Sequence, residues 1–231
     1  MYIDSSYILC MIPAFLLTAL AQFWVNSTYR KWLQAPNSMR VSGADAAQRM
    51  LTHAGLQNVG LAGAQGQLTD HYDPRSKTLH LSQPVATAPS VASLAIAAHE
   101  IGHAVQDNEG YGPLRLRSAL VPAAGIGSNL GWILLVIGFA MQSFELAGLG
   151  LLVFSAGALF ALATLPVELN ASKRARQLLT DSGLIYNDEE RGGVNAVLNA
   201  AAFTYVAGLA TALMQLLYFG SRVAGLGGRR R

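Results

Sequence analysis

The sequence predicts a mainly α-helical membrane protein, with about four apolar helices and a small α+β region after the first of them. Two observations carry this prediction. Of the 231 residues, 52% are hydrophobic and only 13% are charged, whereas an ordinary soluble domain has about 25% charged residues. The apolar residues are also grouped into long runs, while residues 37–117 have the mixed composition of a globular domain.

Four apolar runs account for the predicted helices. The first run, at 7–25, is long enough to span a bilayer. It is preceded by Asp4 and by no Lys or Arg, which predicts an uncleaved anchor rather than a signal peptide. The runs at 119–141 and 146–165 are separated by a short loop and predict a helical hairpin. The last run, at 194–219, carries polar residues, and the sequence leaves open whether it crosses fully.

The Lys and Arg residues predict which side each segment faces. Positive charges are enriched in cytoplasmic loops. Lys and Arg follow the first run and precede the second, the hairpin loop at 142–145 has none, and Lys173, Arg174 and Arg176 follow the third run. These charges place residues 26–118 and 167–193 together in the cytoplasm. The basic tail, Arg229 to Arg231, does not fit this rule if the last run spans.

An H-E-x-x-H sequence, His99-Glu100-Ile101-Gly102-His103, lies in a stretch with helical character. Residues four apart share one helix face, so His99 and His103 can bind one Zn²⁺, and Glu100 can take a proton from water on the open side of the metal. Ser90 is a suitable N-cap, and Asn108-Glu109-Gly110 is typical of a helix end. Gly102 has no side chain and allows another element to approach closely.

The polar region around this motif predicts further elements. A helix is predicted over 43–54, with Ala47, Met50 and Leu51 facing inward. Residues 77–82 alternate polar and apolar side chains, the period of a half-buried strand. This strand is interpreted either as an edge on which an extended substrate pairs or as part of a hairpin that closes a small core.

A catalytic zinc keeps three protein ligands and one open position. The chain offers His53, His71 and His80 as further histidines. Glu168 is favoured instead, because the predicted hairpin returns the chain to the side of the zinc motif, and a carboxylate at the membrane boundary needs a cation. Pro166, just before it, is expected to kink or restart the helix.

Four blocks of sequence resemble a known family. They are residues 70–74, 97–106, 165–172 and 198–207. With these blocks the chain resembles the YugP-type neutral zinc metallopeptidases, which are bacterial membrane proteins, and more distantly the HtpX-like membrane proteases. The resemblance implies that His99, His103 and Glu168 bind zinc and that Glu100 is the general base. It also implies a zincin-like catalytic domain.

Five further positions are candidates for supporting roles. HtpX-like sequences have an Asp in the place of Ser172, where it would orient a ligand histidine. Asp107 and Asp70 are alternatives for that role. His71 and Tyr205 are candidate donors to an oxyanion; the alternatives are a surface histidine and a tyrosine at the membrane interface.

The function predicted from these features is an integral-membrane zinc metalloendopeptidase with one catalytic Zn²⁺. Its expected partners are a lipid bilayer and protein or peptide substrates in or near the membrane, and no nucleic acid, since the net charge is only +3. The alternative is a zinc-stabilised scaffold or assembly factor without turnover. The expected location is the bacterial inner membrane, multi-pass, with a cytoplasmic active site.

The predicted organisation has five parts. They are a transmembrane anchor at 1–28, a catalytic region at 29–118, a transmembrane hairpin at 119–166, a helix and loop carrying the third ligand at 167–193, and a C-terminal apolar helix with a basic tail at 194–231. The single cysteine, Cys10, excludes a disulfide within the chain.

Overall fold

The computed structural model describes residues 5–228, and side chains from Tyr7 onward. Over this range the chain forms seven helices and three short strands. The helices are α1 (Ser5–Leu33), α2 (Gly43–His53), α3 (Gln83–Thr87), α4 (Val91–Asn108), α5 (Gly112–Ala140), α6 (Phe144–Asp181) and α7 (Asp188–Gly228); the strands are β1 (Gly60–Ala64), β2 (His71–Asp73) and β3 (Thr78–Ser82).

Four of the helices described, α1, α5, α6 and α7, are long and apolar enough to cross a membrane. The prediction of about four apolar helices is therefore confirmed. Many of their large apolar side chains are exposed, such as Phe15, Leu152 and Leu217, as expected for surfaces in contact with lipid. Helix α7 begins earlier than the predicted run, because three acidic residues, Asp188, Glu189 and Glu190, form its first turn.

Helix α6 continues through Pro166 without interruption. Of the two outcomes expected there, a kink or a new helix start, the new start is wrong, and the kink stays a prediction. A proline removes one backbone hydrogen bond from a helix, and a long apolar helix tolerates this loss when its surroundings satisfy the freed group. One helix therefore carries both the apolar run and Glu168.

The chain divides into two compact units. One comprises the residues up to Ala21, Arg115–Pro166 and the residues from Thr204 on. Leu135, Ala147, Phe219 and Val223 form its buried cluster. Glycines allow α5 and α6 to approach closely, since a Cβ at Gly131 or Gly138 would lie 2.4 Å from a backbone nitrogen of α6. Gly125, by contrast, faces open space.

The other unit comprises Gln22–Leu114 and Val167–Phe203. Its core joins helices and sheet, and its largest fully buried side chains include Met50, Leu51, Leu79, Leu94, Ile101, Leu179 and Leu198. Helix α2 is confirmed, with Ala47, Met50 and Leu51 buried as predicted. The first part of α7 contributes Val194, Val197 and Leu198 to the same core.

The small sheet has the strand order β1-β3-β2, with β1 parallel and β2 antiparallel to β3. The predicted strand at 77–82 is thus present as β3, but it is the central strand. Its interpretation as a free edge is wrong, because β1 and β2 use the backbone hydrogen bonds on both of its sides. The alternative interpretation, a hairpin, is confirmed by the antiparallel pairing of β2 and β3. The free edge nearest α4 belongs to β2.

Helix α4 begins and ends where its sequence predicts. The Ser93 amide donates to Ser90 Oγ at 3.1 Å, which caps the first turn. The helix ends at Asn108, and Gly110 follows with a left-handed φ of 65°. Backbone bonds join this start to the segment after α1, from Asn37 N to Pro89 O and from Val91 N to Ala35 O, both 2.9 Å.

Candidate metal centre

Three side chains converge on one point between α4 and α6. His99 and His103 lie one turn apart on α4, and Glu168 lies on α6. Glu168 Oε2 is 3.2 Å from His99 Nε2 and 3.4 Å from His103 Nε2, and one ligand atom from each residue lies within 4.8 Å of the others. The Glu168 side chain is only 3% exposed. Within residues 5–228 this is the group that can hold a metal ion.

The spacing of these atoms fits zinc. Zinc binds histidine nitrogen and carboxylate oxygen at about 2.0–2.1 Å in tetrahedral geometry, so two of its ligand atoms lie about 3.3–3.4 Å apart. The two nitrogen–oxygen separations at this site, 3.2 and 3.4 Å, match that value. Two histidines and a glutamate are also an established ligand set for catalytic zinc.

The buried amide of Gln106 fixes the tautomer of His103. Gln106 Nε2 donates to Val167 O at 2.8 Å and to Asn170 Oδ1 at 2.9 Å, so the amide oxygen must face His103. His103 Nδ1 lies 3.0 Å from that oxygen and is therefore the protonated nitrogen. In the neutral ring, Nε2 then has no proton and faces the Glu168 carboxylate. Two acceptors at this distance repel each other unless a proton or a metal ion lies between them, and this donor set fits a metal ion.

His99 has a different partner. Its Nδ1 lies 3.2 Å from Ser172 Oγ, so Ser172 occupies the position beside this imidazole. The two alternatives for that role lie elsewhere. Asp107 bonds to Tyr72 and Lys77, and Asp70 accepts hydrogen bonds from the backbone and hydroxyl of Ser82.

Glu100 lies next to the cluster on α4. One of its oxygens, Oε2, accepts a hydrogen bond of 3.1 Å from the backbone N–H of Tyr72 in β2. Burial raises the pKa of Glu100, and the nearby His99 and His103 oppose this shift. For His103, burial disfavours the charged imidazolium, but the hydrogen bond with Glu168 and the charges of Glu100 and Glu168 outweigh burial and raise its pKa. The site therefore attracts positive charge.

The candidate oxyanion donor His71 is not one of the three residues that converge. His71 is exposed on β2, where its ring stacks on His80 at 4.6 Å and its Nδ1 lies 2.8 Å from Thr69 O. Tyr205, the other candidate, is half-buried on α7 and belongs to the unit that comprises the residues up to Ala21, Arg115–Pro166 and the residues from Thr204 on. The role of each in stabilising an oxyanion stays a prediction.

Sequence reasoning did not single out Gln106, Asn170 or Tyr72. For Gln106 a local signal exists, because it lies three residues after His103 and so on the same helix face. Asn170 and Tyr72 reach the site from other elements, and no sequence spacing connects them with it.

The close approach predicted at Gly102 is confirmed. A Cβ at this position would lie 2.6 Å from Ala171 O, in the backbone of α6. Gly102 lies between the two histidines, and Ala171 lies one turn after Glu168. The missing side chain therefore sets how near Glu168 comes to His99 and His103.

Four apolar helices and a buried cluster of two histidines and a glutamate define a membrane protein with a site suited to zinc. Residues 7–223 match a family model described as "Putative neutral zinc metallopeptidase", and the chain belongs to this family. It is 43% identical to the "Putative membrane protease YugP" of Bacillus subtilis (strain 168), over 92% of this chain and 94% of that protein. These comparisons confirm the resemblance drawn from the sequence. No solved structure matches the chain.

Gly102→Ala tests the packing that places Glu168. The new methyl group forces α4 and α6 apart, at a cost of about 1–3 kcal/mol in the free energy of unfolding. We expect zinc affinity to fall roughly 10- to 100-fold, as for other changes that misplace a ligand. Zinc retention against a graded chelator measures the effect.

The matched control is Gly192→Ala in the first turns of α7, where a Cβ meets nothing within 4 Å. This variant should bind zinc like the wild-type protein. Unchanged zinc affinity in Gly102→Ala would show that the helix contact does not position the carboxylate.

Proposed function

We propose that the protein is an integral-membrane zinc metalloendopeptidase whose active site faces the cytoplasm. The observation that carries this proposal is the convergence of His99 Nε2, His103 Nε2 and Glu168 Oε2 at the spacing of zinc ligands, with Glu100 beside them. Membership of the zinc metallopeptidase family supports it. The cytoplasmic orientation rests on the distribution of Lys and Arg.

His99, His103 and Glu168 would hold the ion, with Gln106 and Ser172 orienting the two imidazoles. A bound zinc ion would act as a Lewis acid towards the scissile carbonyl and would lower the pKa of a water molecule. Glu100 accepts the proton of the attacking water and delivers it to the leaving amine. Its position between the two histidines gives it access to the metal-facing side without occupying a ligand position.

The proposed substrates are membrane proteins or segments close to a membrane. Four candidate spans tether the chain to the bilayer, which confines the site to what passes near the membrane surface. A scaffold that only binds zinc would need the three ligands but no carboxylate base. The presence of Glu100 at this place therefore favours the peptidase over the scaffold.

Glu100→Gln removes the proposed base and keeps the size and shape of the side chain. We expect zinc stoichiometry and thermal unfolding to match the wild-type protein, while hydrolysis of fluorescein-labelled casein falls by at least about 100-fold. Near-full proteolysis by the purified variant would show that Glu100 is not the base. An inactive wild-type protein with full zinc content would favour the scaffold.

Glu168→Ala removes the proposed third ligand. Both zinc affinity and activity should fall, in contrast to Glu100→Gln, because two histidines alone leave the ion open to solvent. Glu168→Asp should keep part of the zinc with a strained, shorter arm. Zinc content after dialysis against a weak chelator distinguishes these outcomes. Full occupancy in Glu168→Ala would reject Glu168 and return His71 or His80 as the candidate.

Labelling of single cysteines tests the orientation. In a Cys10→Ser background, cysteines at Ser76 and Tyr186, both exposed, should react with a membrane-impermeant maleimide only after the cells are opened. A cysteine at Met141, which is 68% exposed in the hairpin turn, should react in intact cells. Reaction of Ser76 and Tyr186 variants from opposite sides would contradict a site built from α4 and α6.

A further inference from the structure

Tyr72 contacts helix α4 at two points. Its backbone N–H donates to Glu100 Oε2 at 3.1 Å, and its hydroxyl donates to Asp107 Oδ2 at 2.8 Å. Glu100 and Asp107 are seven residues apart, which places them on one face of the helix about 10 Å apart. The tyrosine therefore spans two turns of the helix that carries the zinc motif.

Lys77 strengthens the contact at the Asp107 end. Its Nζ lies 2.5 Å from Asp107 Oδ2, the same oxygen that accepts the Tyr72 hydroxyl. Asp107 is only 22% exposed, so solvent screens this ion pair incompletely. A carboxylate that accepts both a hydroxyl and an ammonium group fixes the hairpin on α4 with charge-assisted hydrogen bonds.

The hairpin between Tyr72 and Lys77 is itself braced. Asp73 accepts hydrogen bonds from Arg75 N at 2.9 Å and from Ser76 Oγ at 2.7 Å, which close the turn. At the other end of β2, Asp70 accepts a hydrogen bond of 2.7 Å from Ser82 N. These bonds hold the hairpin together as one unit, so β2 can shift along α4 only by breaking its contacts with Glu100 and Asp107.

The pairing of β2 with β3 shows in which direction the backbone N–H of Tyr72 points. Tyr72 pairs with Leu79 of β3, and because its N–H is donated to Glu100, this N–H points away from the sheet. Tyr72 is the middle residue of the three-residue edge strand. Its outward N–H, the group that an added strand would use, is therefore bound to the carboxylate of Glu100. Among the hydrogen bonds of the described residues, the one that the Glu100 carboxylate accepts comes from this N–H.

We propose that Tyr72, held in place by Asp107 and Lys77, is a positioning residue for Glu100. Its N–H fixes Oε2 of the carboxylate, so that Oε1 is left to accept the proton of the attacking water. Asp107 thus acts on the base through strand β2, and not on a ligand histidine. This inference rests on the proposed peptidase function, because positioning matters only if Glu100 transfers a proton.

The test compares Tyr72→Phe, Asp107→Asn and Lys77→Met with the wild-type protein, using fluorescein-labelled casein. We expect kcat to fall roughly tenfold or more, since a misplaced catalytic group is costly, while KM and zinc content stay within about twofold. The double variant Tyr72→Phe/Asp107→Asn should lose less activity than the product of the two single losses, because both substitutions act on the same contact. Lys77→Arg keeps the charge and should therefore retain the activity that Lys77→Met loses.

Glu109→Gln is the matched control. Glu109 lies two residues after Asp107 and forms an equally close ion pair, 2.6 Å from Arg174 Nη2, but with α6 rather than with β2. Its loss should leave kcat unchanged. A fall in kcat equal to that of Asp107→Asn would show that any ion pair in this part of the unit matters, and would overturn the proposal.

A second measurement tests the hydrogen bond between Tyr72 N–H and Glu100 and does not depend on peptidase activity. Amide hydrogen exchange of the segment 70–74, followed by mass spectrometry in metal-free protein, should become about tenfold faster in Tyr72→Phe and in Glu100→Ala. Unchanged exchange, or a kcat within twofold of wild type in Tyr72→Phe and Asp107→Asn, overturns the inference. So does a general loss of thermal stability and zinc together with activity. If the wild-type protein cleaves no casein, the proposed function fails and the inference fails with it. If the wild-type protein cleaves casein and the variants cleave it equally well, the inference alone fails.

Discussion

A buried carboxylate that faces two imidazole nitrogens is the constraint on which this site depends. Glu168 Oε2 lies 3.2 and 3.4 Å from the Nε2 atoms of His99 and His103, and the Gln106 amide forces the proton of His103 onto the opposite nitrogen. Such an arrangement is stable only with positive charge in the middle. The packing of α4 against α6 serves this arrangement, since Gly102 lets the two backbones meet where a methyl group would collide.

Helix α4 uses its length for two tasks. Its middle carries the two histidines and Glu100, and its last turns carry Asp107, which binds the hairpin of the small sheet. The same hairpin returns a backbone N–H to Glu100. The sheet is small and contributes few apolar side chains. It is attached to the helix by the backbone and hydroxyl hydrogen bonds of Tyr72 and by the ion pair of Lys77 with Asp107. The chemistry proposed for Glu100 therefore depends on a strand as well as on its own helix.

Local patterns predicted much of the fold, and the failures have physical causes. Helix α2, the cap of α4 at Ser90 and the four apolar helices follow from periodicity, capping chemistry and hydropathy, which act over a few residues. Strand β1, Gly60–Ala64, was not predicted, because a segment of glycine, alanine and one leucine has no strand propensity of its own and forms a strand only by pairing with β3. A new helix start was one of the two outcomes expected at Pro166, but the helix continues through it.

The sequence by itself determined the part of the site that lies within one helix. The spacing of His99 and His103 places both rings on one face, and Glu100 follows from the same four-residue pattern. It also offered Glu168, through the expected hairpin and the family resemblance, but could not place its oxygen. Tertiary structure alone decided that convergence, the position of Ser172 beside His99, and the contact of Tyr72 with Glu100. These contacts join residues 28 to 73 positions apart, and no local period encodes a contact over such a separation.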